Sequence, residues 1–372
     1  MTRHLRRVSL APLLLFVCVC GLPWLAACGA TDPQPDPDPG TPLSNFDALW
    51  HDFDRSYALF GVRAVDWSAL YDVYRSRLDE DSTDVEARDV MCGLLQELGD
   101  GQSRLEPDGM ACPDGAPDTL AWFHDGDPAE FWSDYMITRD LIAGHYLDDP
   151  DTSRAFNWIS RVATQDKHLL YLELDSFDDR AGEVDWDEVA ARFAAAPECD
   201  GLIIDVRANA GGRQERVLQV ANAVASSPRE YYRRYLRDGP GHDDFTPPRP
   251  VEATPAGTAW GQIPVVVLCH GYTRGAAERF VLAMRGCPNA TIVGTRTRGS
   301  LSDQSHRTLP NGWRYALCDE LVHDPQDRCW EATGVPTDYE VWNTRSSVAQ
   351  GHDLVLEIAI TVLLLRLAPP AR

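Results

Sequence analysis

The sequence predicts an α/β protein: a mainly parallel sheet covered by helices, with a small helical subdomain ahead of it. Three observations carry this expectation. From His168 onward, short β-branched runs alternate with amphipathic helical stretches, the pattern of strand–helix–strand units. GLIIDVR at 201–207 and VVVLC at 265–269 are nearly continuous in apolar residues, as strands buried on both faces are. Between 43 and 106, apolar residues recur at intervals of three and four, the spacing of one helix face.

The first segment, 1–27, reads as a signal rather than as structure. MTRHLRR is a basic start and VSLAPLLLFVCVC is an apolar stretch short for a bilayer span. It closes on Leu25-Ala26-Ala27-Cys28, which resembles the lipobox of bacterial lipoproteins and implies lipidation of Cys28. The expected tether, 28–42, contains TDPQPDPDPGTP, too rich in Pro and Asp to bury a core. Gly29 follows the Cys, with no Asp to retain the chain at the inner membrane. The expectation is an exported outer-membrane lipoprotein, on its periplasmic or surface face, held to the membrane through the lipid alone. The formal charge of −23 argues against nucleic acid and anionic headgroups as partners.

The helical subdomain, 43–106, holds FDALWHDFDRSYALF, WSALYDVYRSRL and VEARDVMCGLLQEL, with Asp84 or Ser82 expected to cap the third helix. The connecting region, 107–165, is irregular and acidic, with one helix expected around Phe156–Val162. The core, 166–372, reads in order as strand LLYLEL, helix VDWDEVAARFAAA, strand GLIIDVR, helix RQERVLQVANAVAS, strand VVVLC, helix AAERFVLAM and strand ATIVG. Shorter strands around WRYAL follow, and a buried helix over AITVLLLRL closes the chain. Of the cysteines beyond Cys28, Cys318 with Cys329 and Cys92 with Cys112 flank loops that a disulfide would close. Their spacing carries no metal signature, and no cofactor is expected. The clusters His145–Asp149 and His242–Asp244 read as solvated acidic loops rather than as cation sites.

Eight landmarks then fall in order: LGDGQSRL (98–105), YLELDSF (171–177), LIIDVRANAGG (202–212), VVVLCHGYTRGAAERF (265–280), IVGTRTRGS (292–300), LPNGW (309–313), TGVPTDYEV (333–341) and GHD (351–353). Together they resemble the C-terminal-processing, or tail-specific, serine peptidases. The likeness is nearest to the branch without a PDZ insert, that of the tricorn core and interphotoreceptor-retinoid-binding-type proteins, and covers about residues 45–368. The resemblance implies a ClpP/crotonase-like core and action on extended peptides or protein tails.

It also makes the departures visible. Acyl transfer of this kind needs a nucleophile, a base and donors for the oxyanion. The family's Thr-x-Ser-Ala-x-Glu turn is here Thr273-Arg274-Gly275-Ala276-Ala277-Glu278, with glycine in the nucleophile position. The lysine that one branch places after Gly-x-x-Thr-x-Gly is replaced by Ser300, and the chain's single lysine, Lys167, lies elsewhere. The other branch's Asp-Gly-His is Asp100-Gly101-Gln102, and an amide is no proton acceptor of use. The Gly211–Gly212 pair remains, with the Ala276 N–H as the second oxyanion donor by analogy; a tight strand–helix turn would also require such a pair for shape alone. The leading expectation is a catalytically degenerate member that binds an extended peptide or tail. An active serine-type peptidase using Thr273 with His270 is the alternative. A carrier of apolar small molecules, drawing on Trp158, Trp313, Trp330 and Trp342, is the third reading.

Overall fold

The computed structural model describes residues 40–107, 109–110, 112, 120–148, 150, 159–164, 166–178, 191 and 198–369. The expected signal segment, Cys28, Trp158 and nearly all of the helix expected at 184–196 lie outside the described residues.

The N-terminal helices start where local chemistry starts them. Helix α1 (Pro42–Ser56) follows a capping box in which Thr41 and Ser44 each accept from the other's backbone N–H. A short α2 (Phe60–Arg63) precedes α3 (Trp67–Arg75), whose Asp66 cap accepts from Ala69 N at 3.1 Å. Helix α4 (Asp84–Gln96) is capped by Thr83, not by the expected Asp84 or Ser82. Thr83 and Glu86 form a reciprocal box, and that pair satisfies two orphan amides where a lone acid satisfies one. Phe46, Phe53, Tyr57, Phe60 and Trp67 bury an aromatic core. Its other wall is distant in sequence. Strand β1 (Arg104–Glu106) pairs antiparallel with β11 (Arg314–Cys318), which pairs with β10 (Gln304–Thr308), and Trp313, Tyr315 and Leu317 complete the cluster.

In the connecting region, α5 (Phe131–Leu141) and a π-helical turn (Ile142–Tyr146) lead to β2 (Leu147–Asp148). The helix expected at Phe156–Val162 is instead a strand over its described part, β3 (Ile159–Val162), which pairs antiparallel with both β2 and β4 (Leu169–Glu173). Pairing on both edges outweighs four residues' worth of helical spacing.

The central sheet has seven strands in the order β13-β9-β8-β5-β4-β3-β2. Strands β4 (Leu169–Glu173), β5 (Gly201–Asp205), β8 (Val265–Cys269), β9 (Ala290–Gly294) and β13 (Tyr339–Glu340) run parallel. Alternate residues serve opposite faces. Leu170, Leu172, Leu202, Ile204, Val265 and Val267 pack with α6 (Gln214–Val224) and α7 (Ala276–Arg285). Tyr171, Ile203, Val266 and Leu268 pack with α8 (Leu354–Leu367) on the other side. Both faces are covered, which explains the unbroken apolar runs. The expected closing helix is present, though Leu365 stands 71% exposed. Strand β6 (Glu230–Leu236) joins β7 (Arg249–Glu252) and β12 (Glu320–His323) in a separate antiparallel sheet.

Cys92 and Cys112 form a disulfide, with Cα atoms 5.7 Å apart. Cys318 and Cys329 are free thiols, against the other pairing weighed from sequence. Asp324 closes that loop instead, accepting from Gln326 N, Arg328 N, Arg328 Nε and Trp330 Nε1.

Candidate functional site

The parallel strands β5 and β8 end side by side, so the loops that leave them meet. After β8 the chain turns through His270–Gly275 and enters α7 at Ala276. Gly275 sits at the apex with φ 59° and ψ −128°, a conformation in which L side chains are strained. Its N–H donates to Ser300 O at 3.0 Å. A Cβ on Gly275 would meet Ala210 O at 3.6 Å and Gly211 Cα at 3.8 Å, ordinary contact distances. The space for a side chain is there, and nothing fills it.

The loop after β5 is built more tightly. Asn209, fully buried, donates from Nδ2 to Leu174 O at 2.8 Å, and its Oδ1 accepts from Gly211 N at 2.8 Å. Phe177 N donates to Gly211 O, and Arg213 N to Phe177 O, both at 2.8 Å. Arg274 N donates to Asn209 O at 3.2 Å and ties the two loops together. The Gly211 amide is therefore spent on Asn209. The Gly212 and Ala276 N–H groups have no acceptor among the described residues, Ala276 because it opens a helix. Glycine at 212 is compulsory, since a Cβ would lie 2.2 Å from the carbonyl carbon of Phe177.

Neither substitute reagent at the elbow is placed to react. The Thr273 hydroxyl is fully buried, donates to Val206 O at 2.8 Å and accepts from His270 N at 3.0 Å. His270 accepts from Tyr272 N through Nδ1 at 3.1 Å and packs against Trp122, ring centroids 4.8 Å apart. Burial, and then the nearby Arg207 charge, pull its pKa down to about 3.

The remaining sequence-predicted positions converge on the elbow from two other segments. Asp100 is buried and saturated: Tyr57 Oη, Gln102 N, Ser103 N and Ser103 Oγ all donate to it at 2.7 Å. It thereby fixes Gln102, whose Oε1 accepts from Gln304 Nε2 at 3.3 Å and whose buried Nε2 has no partner. Ser300 is buried, with its hydroxyl 3.5 Å from Asp100 O. Its N–H donates to Glu278, which also accepts from Thr297 Oγ1 and Gly299 N. Burial raises Glu278 to about 7 despite these donors.

Sequence reading missed Glu331, two residues before the Thr333 landmark. It accepts from Leu301 N at 2.8 Å and Ser302 N at 3.0 Å, and burial, reinforced by the Glu278 charge, raises it to about 8. Its adjacency to Thr333-Gly334-Val335-Pro336 was the available signal.

Two neighbouring cavities, of about 220 and 270 Å³, share Gln102, Ala210, Gly275 and Gln304. Gly212, Gln214, Ala276, Arg279, Ser302, Asp303 and His306 complete the first. Asp100, Gly101, Arg104, Arg274, Arg298 and Ser300 complete the second. Such walls suit a polar backbone rather than an apolar ligand. The described tryptophans of that set do not converge either: Trp313 lies in the N-terminal core, Trp330 packs against the α6/α7 side of the sheet, and Trp342 lies tilted against His124, ring centroids 5.2 Å apart. Among the described residues no cluster of His, Cys, Asp and Glu is arranged to hold a metal ion.

Comparison with known proteins agrees with this geometry. Residues 168–341 match the model of peptidase family S41, and residues 41–95 match that of the tricorn protease C1 domain. A structure of a candidate peptidase from Parabacteroides merdae shares 30% identity, covering 87% of this chain and 97% of its own, with a TM-score of 0.70. A lipoprotein from Streptococcus agalactiae shares 15% identity over 88% of this chain and 98% of its own, TM-score 0.55. The photosystem II D1 C-terminal processing protease shares 17% identity over 81% of this chain and 93% of its own, TM-score 0.51. No curated protein matches in sequence.

Proposed function

The chain belongs to peptidase family S41, and from that premise we propose that it is a lipid-anchored, exported member that grips an extended peptide or protein tail without cleaving it. One observation carries the reading: the elbow that presents a nucleophile holds Gly275, with room for a side chain and none present. Support comes from the neighbouring positions. Gln102 occupies the site of a base, Ser300 is buried against Asp100 O, and the Thr273 hydroxyl is committed to Val206 O. His306 lines the same cavity, but a proton acceptor there has no hydroxyl at 275 to act on.

Part of the binding half remains, although the Gly211 amide is spent on Asn209. The Gly212 and Ala276 N–H groups offer two donors to a peptide carbonyl, and the polar walls accommodate backbone in the manner of strand addition. Anchoring rests on the Leu25–Cys28 motif and the acidic tether after it, and no described helix is long and apolar enough to cross a membrane. The direct test incubates the mature protein with a random decapeptide library and reads both bound and free fractions by mass spectrometry. Retained, uncut peptides are expected. New termini that vanish when one Ser or Thr is replaced would establish an active peptidase instead.

A further inference from the structure

We propose that the open edge of β10 is a docking edge for this chain's own segment Asp32–Asp38, which adds to it as a parallel strand and closes it.

Strand β10 ends its sheet, since the order is β1-β11-β10 and no described strand lies beyond it. Leu309 N donates to Trp313 O at 2.8 Å, and the register continues through Arg307↔Tyr315 and Ser305↔Leu317. Opposed residues in an antiparallel pair alternate between bonded and unbonded, so Arg307 and Ser305 spend their N–H and C=O groups on β11. His306 and Thr308 turn theirs the other way, toward the open edge. Both residues are exposed, and no acceptor among the described residues meets their N–H groups. An unpaired edge is a template for another strand.

The segment ahead of the described chain is patterned to fit it. In Asp32-Pro33-Gln34-Pro35-Asp36-Pro37-Asp38-Pro39, proline recurs at every second position. Successive N–H groups of an extended chain face opposite sides. Asp32, Gln34, Asp36 and Asp38 therefore place their donors on one side, and the prolines leave the other side with none. Such a strand pairs along one side only, which is where proline is tolerated in sheets. It covers an open edge without offering a new one. A chain that had only to be extended would need no such period.

Position and charge agree with this pairing. Asn311 N donates to Asn45 Oδ1 at 3.1 Å, which sets the first turn of α1 against the turn that ends β10. A segment running toward α1 beside β10 is therefore parallel to it. Its eight residues, Asp32 to Pro39, span about 25 Å when extended, against about 17 Å for the five of β10. Strand β10 carries His306 and Arg307 and no acid, opposite the carboxylates of Asp32, Asp36 and Asp38. Because β10 borders the first cavity through Gln304 and His306, the docked segment stands where an incoming peptide would add. That consequence rests on the peptide-binding reading; the docking itself does not.

The test measures amide hydrogen exchange at His306 and Thr308 in the mature protein and in two double variants. Gln34→Pro/Asp36→Pro removes two donors from the pairing side, whereas Pro35→Ala/Pro37→Ala alters only the outer side. All four substitutions lie ahead of α1. Exchange at both amides is expected to quicken about tenfold in the first variant and to keep the wild-type rate in the second. Equal rates in all three proteins, or the same acceleration in both variants, overturn the docking whatever peptide retention shows. Protection that disappears on dilution assigns the edge to another copy's segment and overturns pairing within one chain.

Discussion

Gly212 and Gly275 lie in loops joined by one hydrogen bond, Arg274 N to Asn209 O, yet they are glycines for different reasons. Packing imposes Gly212: Phe177 occupies the place of its side chain. At Gly275 packing imposes nothing, and only the backbone conformation favours glycine. A side chain there would carry strain of about 1–3 kcal/mol, which a protein tolerates in exchange for chemistry. Survival of the Gly211–Gly212 turn is therefore a statement about folding, whereas glycine at the elbow, which packing does not require, is what the proposed loss of cleavage rests on.

The widest separation between the two is expected from Gly212→Ala, which should cost more than about 4 kcal/mol and leave little folded protein, read by circular dichroism and chemical denaturation. Folded, stable Gly212→Ala protein would break the comparison. Next is the elbow's histidine. Its folded pKa of about 3 lies below the unfolded value near 6.5, so its contribution is complete above about pH 6.5 and lost as pH falls toward 3. By pH 3 that loss is about 4–5 kcal/mol. His270→Asn keeps an acceptor for Tyr272 N and should lack this part of the acid slope in urea titrations. An unchanged slope would free His270 for a reactive role. Gly275→Ser should unfold about 1–3 kcal/mol more easily than wild type, the strain alone. The smallest effect belongs to Gln102→Asn, which shortens the amide and should shift stability by no more than about 1 kcal/mol while weakening peptide retention.

The sheet was legible because GLIIDVR and VVVLC declare burial on both faces, and the elbow because VVVLCHGYTRGAAERF changes period at Gly275. Helix α5 was not. It buries Phe131, Asp134, Tyr135 and Thr138 but exposes Trp132, Met136 and Ile137, so its apolar residues do not mark its inner face. The strand at Ile159–Val162 is set by partners on both sides, Leu147–Asp148 and Leu170–Leu172, which local spacing does not report. In the site, positions 102, 275 and 300 were singled out by the family resemblance of the motifs that hold them, and all three line one cavity. Arg104, Arg274, Arg298 and Gln304 line the cavity from three separate segments; β1 and β10 flank β11 in one small sheet, which sets Arg104 beside Gln304, and no local spacing reports that.

The most direct measurement is intact-mass analysis of the mature protein after exposure to a serine-reactive fluorophosphonate, beside the Gly275→Ser/Gln102→His double variant. An unchanged mass is expected for the wild-type chain, and the addition of a single probe, at residue 275, for the variant. A probe adduct on any Ser or Thr of the wild-type chain would contradict it.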